Sequence, residues 1–288
     1  MKLIMTLLVR DEEDVLRENI EYHLSQGVDF IIATDNRSVD STPEILREYE
    51  LQGVLISRYE ADDDYSQHAW VTQMARRARI EYGADWVINN DADEFWWPEE
   101  GATLKEVLSK LPPEAEAATA SRTNFVPRLE TEAVHFLRTM TIRETDSRNA
   151  LGLWLPPKVC HRGHPEVTVA QGNHEVWFSG TKILPETAPI SILHFPIRTY
   201  ERYRNKIANG GAAYQRNTDL PEYQGHTWRT LHRTFRLGGF RSWYESQIPA
   251  TEDVSKAIEE GRLIQDDRLR HYFAERLNWR FQGRNGGS

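Results

Sequence analysis

Residues 85–95 read Asp85-Trp86-Val87-Ile88-Asn89-Asn90-Asp91-Ala92-Asp93-Glu94-Phe95, a hydrophobic strand that runs directly into three carboxylates within four positions. The chain upstream of it alternates regularly. Residues 3–9 form a buried-strand run, and 14–24 carry Leu16, Ile20 and Leu24 on one helical stripe. Residues 28–34 are a second strand, followed by the turn-rich 35–40. Ser41 and Glu44 have capping-box spacing with Pro43 in the first turn, which predicts a helix through Tyr49. A strand at 54–57, a helix at 67–82 and the strand at 85–90 complete the half. Strands joined by helical crossovers predict an α/β fold with a mostly parallel central sheet and flanking helices.

In such sheets ligands bind outside the carboxyl ends of the strands. Three carboxylates there repel one another unless a cation or donors neutralise them, and hard divalent cations share such oxygens with substrate phosphates. An isolated Asp-x-Asp is also a common acidic turn, with Asp91 capping a loop and Glu94 solvated. The first strand ends in Val9-Arg10-Asp11-Glu12, and the second leads into Asp35-Asn36-Arg37-Ser38-Val39-Asp40-Ser41-Thr42. Asp11 and Ser41 suit helix caps, so Asp35 and Asp40 are the better candidates for ligand contact. No Gly-rich phosphate loop follows either strand, which speaks against a dinucleotide-binding or P-loop enzyme.

Charge follows the same division. The 288 residues carry a net charge of −9, yet residues 1–120 hold 26 acidic against 11 basic side chains and 196–245 hold 9 basic against 4 acidic. The acidic half speaks against a nucleic-acid surface there. One cysteine, Cys160, excludes an internal disulfide and a Cys-based zinc cluster. The longest apolar run is far shorter than the ~20 residues of a transmembrane helix, and no signal-cleavage pattern follows it. A cytoplasmic protein is expected, with peripheral membrane association still open.

Beyond residue 115 the pattern changes to short β-prone pieces at 115–125, 134–142, 167–169, 176–178 and 190–194. Helical stretches follow at 199–214, 228–245, 251–261 and 266–277, and the tail 282–288 (QGRNGGS) is expected to be disordered. The mixed second half thus ends in C-terminal helices. Four of the ten histidines fall between 161 and 194. Arg198 and Lys206 are eight apart, two helical turns, and would share a face near His194, a geometry suited to a diphosphate.

The segments Leu3–Glu12, then Asp35-Asn36-x-Ser38-x-Asp40-x-Thr42, then Asp91-Ala92-Asp93-Glu94-Phe95 together resemble the glycosyltransferase family 2-like proteins of the GT-A fold, a Rossmann-like nucleotide-diphospho-sugar transferase fold. The resemblance covers about the first 100 residues. Lys158-Val159-x-His161-Arg162, Gly172-Asn173-His174-Glu175-Val176 and His194-Phe195-Pro196-x-Arg198 with Lys206 are similar to bacterial members of that group. The Gln-x-x-Arg-Trp signature of the processive synthases is missing, which favours a single transfer. The resemblance implies a hexosyltransferase-type enzyme. It would move one sugar from a nucleotide-diphosphate donor to the hydroxyl of a glycan or other acceptor, in cell-surface glycan or glycoconjugate synthesis.

By the same resemblance, Arg10, Asp11, Asp35, Asp40, Asp91, Arg198 and Lys206 would bind the nucleotide sugar. Asp93 and Asp91 would hold Mn2+ or Mg2+, and a late histidine, His194 or His174, would complete the site. His23, His135 and His271 read as structural. Domains are expected at 1–200 (1–95 nucleotide-binding, 96–200 acceptor and metal-completing), with a helical extension at 201–281. An inverting transfer needs a carboxylate base, for which Glu175, Asp146 and Glu144 are open candidates. Trp70, Trp86, Trp96, Trp97, Trp154 and Trp177 could stack on a sugar, Trp96 or Trp97 as the floor of the site. The alternatives are a non-catalytic sugar-binding protein of the same fold and a sugar-phosphate nucleotidyltransferase; the latter would open with a Gly-rich loop, where this chain has Arg10-Asp11-Glu12.

Overall fold

The structure, a computed structural model, describes residues 1–63, 66–99, 101–218, 220–221 and 224–277; the expected disordered tail lies outside them. The chain runs β1 (Leu3–Val9), α1 (Leu16–Ser25), β2 (Phe30–Asp35), α2 (Thr42–Leu51), β3 (Leu55–Tyr59), α3 (Gln67–Ile80), β4 (Trp86–Asp91), β5 (Glu94–Pro98), α4 (Leu104–Ser109) and β6 (Ala117–Asn124). It continues through α5 (Phe136–Thr139), β7 (Ile142–Glu144), β8 (Lys158–Arg162), β9 (Val167–Val169), β10 (Val176–Phe178), β11 (Thr181–Lys182) and β12 (Glu186–His194). Helices α6 (Tyr200–Arg216), α7 (His226–Arg236), α8 (Phe240–Ser246) and α9 (Thr251–Glu259), strand β13 (Leu263–Gln265) and α10 (Arg268–Arg276) follow.

Two compact units divide the chain, Met1–Arg122 with Pro156–Leu193, and Thr123–Leu155 with His194–Ser288. They interleave along the sequence, and β7 pairs with β13 within the second unit. In the first unit an eight-stranded sheet runs β3-β2-β1-β4-β8-β6-β12-β5. Its β3, β2, β1 and β4 are parallel, and β8 then pairs antiparallel with both β4 and β6. The strand order reverses between β1 and β4, and at such switch points of open α/β sheets ligands bind outside the carboxyl ends of the strands. Both faces of β1 are covered, which is why six of its seven residues are buried. Val71, Met74, Ala75 and Ala78 of α3 pack on Ile4, Ile32, Val87, Ala117 and Val159 in one cluster. The small antiparallel sheet β11-β10-β9 contributes Val167, Val169, Val176 and Phe178 to that same cluster.

The first four strands stand where the periodicity puts them. The strand expected at 134–142 is instead the helix α5 followed by β7. Phe136, Leu137 and Met140 are all buried at helical spacing, which a window this short does not separate from alternation. The single helix expected at 228–245 is two, parted at Gly238, whose φ of +80° no regular helix continues. Strand β8 is absent from the expectations because its Lys158, His161 and Arg162 look like loop residues.

In the second unit the aromatics interleaved with the basic stretch form a core. Ile197, Tyr203, Ile207, Leu231, Phe240 and Tyr244 are buried together, with Tyr200, Trp228 and Trp243 packed against them. Helices α6 and α7 meet at Gly210-Gly211, where a Cβ on Gly211 would fall 2.3 Å from that of His232. Only glycine permits that approach.

Candidate active site

At the carboxyl edge of the parallel strands, Val9 pairs with Asp35 and Leu8 with Asp91, so β1 is flanked by one carboxylate on each side. The loop after β2 is tied down by backbone N–H groups. Ser38 N donates to Asp35 Oδ1 at 3.1 Å, Val39 N to Asp11 Oδ1 at 2.8 Å, and Thr42 N and Glu13 N to Asp40 at 2.9 and 3.2 Å. Ser41 stands at the N-cap of α2 but its side chain makes no cap bond, which corrects the capping-box expectation; Asp40, one residue earlier, accepts from the first helical N–H instead. Asp35 is raised above the ordinary carboxylate range by burial, with the charges of Asp11 and Asp40 adding to it. These three carboxylates thus share one small region, as the motif reading expected. Arg10 turns to Asp63 at 2.6 Å and to Asn36 at 3.5 Å.

The turn after β4 is locked from behind. Asn19 Nδ2 donates to the carbonyls of Ala92 and Glu94 at 2.9 and 2.8 Å. Its Oδ1 accepts from Asn90 Nδ2 at 3.0 Å, and Asn90 in turn accepts from Trp96 Nε1 at 3.0 Å. Trp96 is fully buried and braces this turn, so it is not the floor of a sugar site; Trp97 is half-buried and stacks on Tyr22. Trp70 and Trp86 are buried as well.

What neutralises the carboxylates of this turn is a pair of cations from distant strands. Lys158 Nζ lies 2.5 Å from Asp91 and 3.4 Å from Glu94, and Arg122 Nη1 lies 3.2 Å from Glu94. Lys158 is 1% exposed and Glu94 fully buried, so Glu94 is not the solvated side chain of the bland reading. Burial pushes the Glu94 carboxyl up to about 7, against the pull of Lys158. Its Oε2 is buried without a hydrogen-bond partner.

The turn Gln171-Gly172-Asn173 brings the next groups to Asp91. Gly172 and Asn173 both have positive φ, +80° and +62°, and Gln171 and Gly172 are anchored to the start of α3 through His68 and Gln67. Asn173 is buried and its Nδ2 donates to Asp91 Oδ1 at 3.4 Å. His174 Nδ1 faces the Pro157 carbonyl at 2.8 Å, which makes it the donor and leaves Nε2 as the unprotonated nitrogen. Burial, aided by the charges of Lys158 and Arg122, holds the His174 ring down at about 3, so it is neutral.

In the second unit, Asn124 joins two of the expected residues. Its Nδ2 donates to Glu144 Oε2 at 3.2 Å and to the Arg148 carbonyl at 2.9 Å. Its Oδ1 therefore faces His194 Nδ1, 2.8 Å away, which must donate. Burial raises the Glu144 carboxyl. Arg198 precedes α6, is buried, and donates to the Phe195 carbonyl at 3.0 Å. It does not share a helical face with Lys206, because the helix starts two residues after it. Glu175 is exposed and ion-paired with Lys182, and Asp146 is exposed in a loop.

The donors Asp91, Asp93 and neutral His174 fit a divalent cation in kind, since Mg2+-type sites take one or two protein carboxylates and fill the rest with substrate phosphates and water. Among the described residues no three His, Cys, Asp or Glu side chains group to hold an ion by themselves. The residues that motif reading missed are Arg122 and Asn124, and it passed over the charge on Lys158. None sits in a recognisable spacing with the acid it serves.

Among solved structures, the chain is similar to S. aureus TarS at 13% identity, covering 85% of this chain and 55% of that one, with a TM-score of 0.43. It spans about half the length of that protein. It is also similar to TarS 1–349 in complex with UDP-GlcNAc (11% identity, 91% and 93% covered, TM-score 0.43). A third is glucosyl-3-phosphoglycerate synthase from Mycobacterium tuberculosis with Mn2+, UDP and phosphoglyceric acid (14% identity, 42% and 43% covered, TM-score 0.29). No curated protein matches the chain. Among the described residues no helix is long and apolar enough to cross a membrane. The family model of glycosyltransferase family 92 matches residues 5–237, well over half of the chain, so although its strand-end motifs resemble family 2 the protein belongs to glycosyltransferase family 92.

Proposed function

We propose that this glycosyltransferase moves a single sugar from a nucleoside-diphosphate donor to a hydroxyl of a glycan acceptor, as in cell-surface glycan or glycoconjugate synthesis. The observation that carries the reading is the reversal of strand order between β1 and β4 with Asp35 and Asp91 on either side of β1. Asp11, Asp35 and Asp40 would receive the nucleoside, whose ribose and base present hydrogen-bond donors. Asp91 would sit toward the diphosphate, with the Lys158 ammonium beside it to offset phosphate charge. A divalent cation, Mn2+ or Mg2+, belongs to the same reading: held by Asp91 and Asp93 with His174 Nε2 as a further donor, it would neutralise the departing diphosphate. In the transfer the acceptor oxygen bonds to the anomeric carbon and the bond from that carbon to the diphosphate oxygen breaks. The nucleoside diphosphate leaves, and the hydroxyl proton passes to a carboxylate.

The test is a thermal-shift screen of UDP, GDP, CDP and dTDP sugars, each with Mn2+ or with EDTA. One nucleotide is expected to raise the melting temperature by linkage, and Asp35→Asn and Asp91→Asn to abolish the rise. Equal shifts with EDTA would remove the cation from the reading. No shift with any nucleotide sugar, together with no donor turnover, would overturn it altogether.

A further inference from the structure

Trp154 is 58% exposed. The other tryptophans among the described residues are buried or half-buried. A large apolar ring in water is unfavourable, yet the chain holds this one out on a purpose-shaped loop. Arg148 bridges Trp154 across the loop, its guanidinium lies 3.9 Å from the indole centroid, and its Nη1 donates to the Gly152 carbonyl at 2.9 Å. Inside the loop Asn149 Oδ1 accepts from Leu151 N and Leu153 N at 2.9 and 3.1 Å, and Asn149 N donates to the Leu153 carbonyl at 2.8 Å. The root of the loop is fixed by Asn124, which bonds Ser147, the Arg148 carbonyl and Glu144. One face of the indole is thus covered by a cation, and the ring is held in place before anything binds.

We propose that Trp154 is the platform of a carbohydrate-binding subsite, its open face stacking on the C–H face of a pyranose ring. A ring already immobilised loses little entropy on binding, and the exposed Arg148 guanidinium, which carries more donors than the one given to Gly152, suits the hydroxyls at the edge of a sugar. Trp154 and the exposed Leu153 form an apolar patch far smaller than a stable protein interface requires. This sugar binding does not depend on the donor reading above.

The experiment is saturation-transfer NMR and titration of the full chain with methyl β-galactoside, methyl β-glucoside and methyl α-mannoside, comparing the wild type with Trp154→Ala and Trp154→Phe. At least one glycoside is expected to bind the wild type. Trp154→Ala should weaken it by about 10-fold and Trp154→Phe by less, since a phenyl ring keeps part of the stacking face. The nucleotide-sugar thermal shift should be the same in all three proteins, which also shows that the variants fold. If none of the glycosides binds the wild type, or if Trp154→Ala binds as well as the wild type, the subsite is overturned. Loss of glycoside binding in Trp154→Ala with no nucleotide shift in any protein would leave the subsite standing and defeat the donor reading.

Discussion

The two acidic clusters at the sheet edge are neutralised by different means. After β2, the carboxylates of Asp11, Asp35 and Asp40 accept from backbone N–H groups within the same edge of the fold, none more than 28 positions away. After β4, Asp91 and Glu94 are met by the charged side chains of Lys158 and Arg122, the farthest 67 positions along the chain. A carboxylate on backbone amides loses only neutral hydrogen-bond donors when altered, two of them at Asp40. A buried carboxylate on a buried ammonium loses its counter-charge, which costs several times more.

The largest expected effect tests that difference. Lys158→Met leaves Asp91 and Glu94 without the ammonium in a buried setting and should cost about 3–5 kcal/mol in urea unfolding; adding Glu94→Gln should recover part of it. Next comes pH. The folded-state Glu94 carboxyl sits at about 7, above its ordinary value, so the native state binds this proton more tightly than the unfolded chain. Its contribution to stability is therefore greatest at low pH and is lost as pH rises through about 7. The urea midpoint of Glu94→Gln relative to the wild type should rise on going from about pH 5 to about pH 8. A constant difference would show that Glu94 does not carry the proton. The smallest effect belongs to the other cluster: Asp40→Ala removes the acceptor of the Thr42 and Glu13 N–H groups and should cost about 1 kcal/mol in the same assay. Were it to cost as much as Lys158→Met, the distinction between the clusters would fall.

Much of the first unit was legible because its signals are local. Strand runs such as Leu3–Val9 announce burial on both faces, and the carboxylates that end them announce an edge. The acidic edge was legible for the same reason, down to Asp35 and Asp91. The reading failed where a polar residue is buried by something distant. Strand β8 was missed because Lys158 looks like a surface residue until Asp91 and Glu94 are seen beside it. Trp96 looked like a ligand platform until Asn90 and Asn19 were seen to hold it. Ser41 looked like the cap because its spacing to Glu44 suits one, while Asp40 makes the bonds.

The sequence by itself determined that hydrophobic strands alternate with helices and end in acids, because periodicity and composition act over a few residues. Family membership across residues 5–237 follows from the sequence as well. Only the tertiary structure decided which cation answers which carboxylate, which tryptophan faces water, and that residues 123–155 cluster with the C-terminal helices. Those outcomes depend on electrostatics and burial between residues far apart in the chain, and no local pattern encodes a distance.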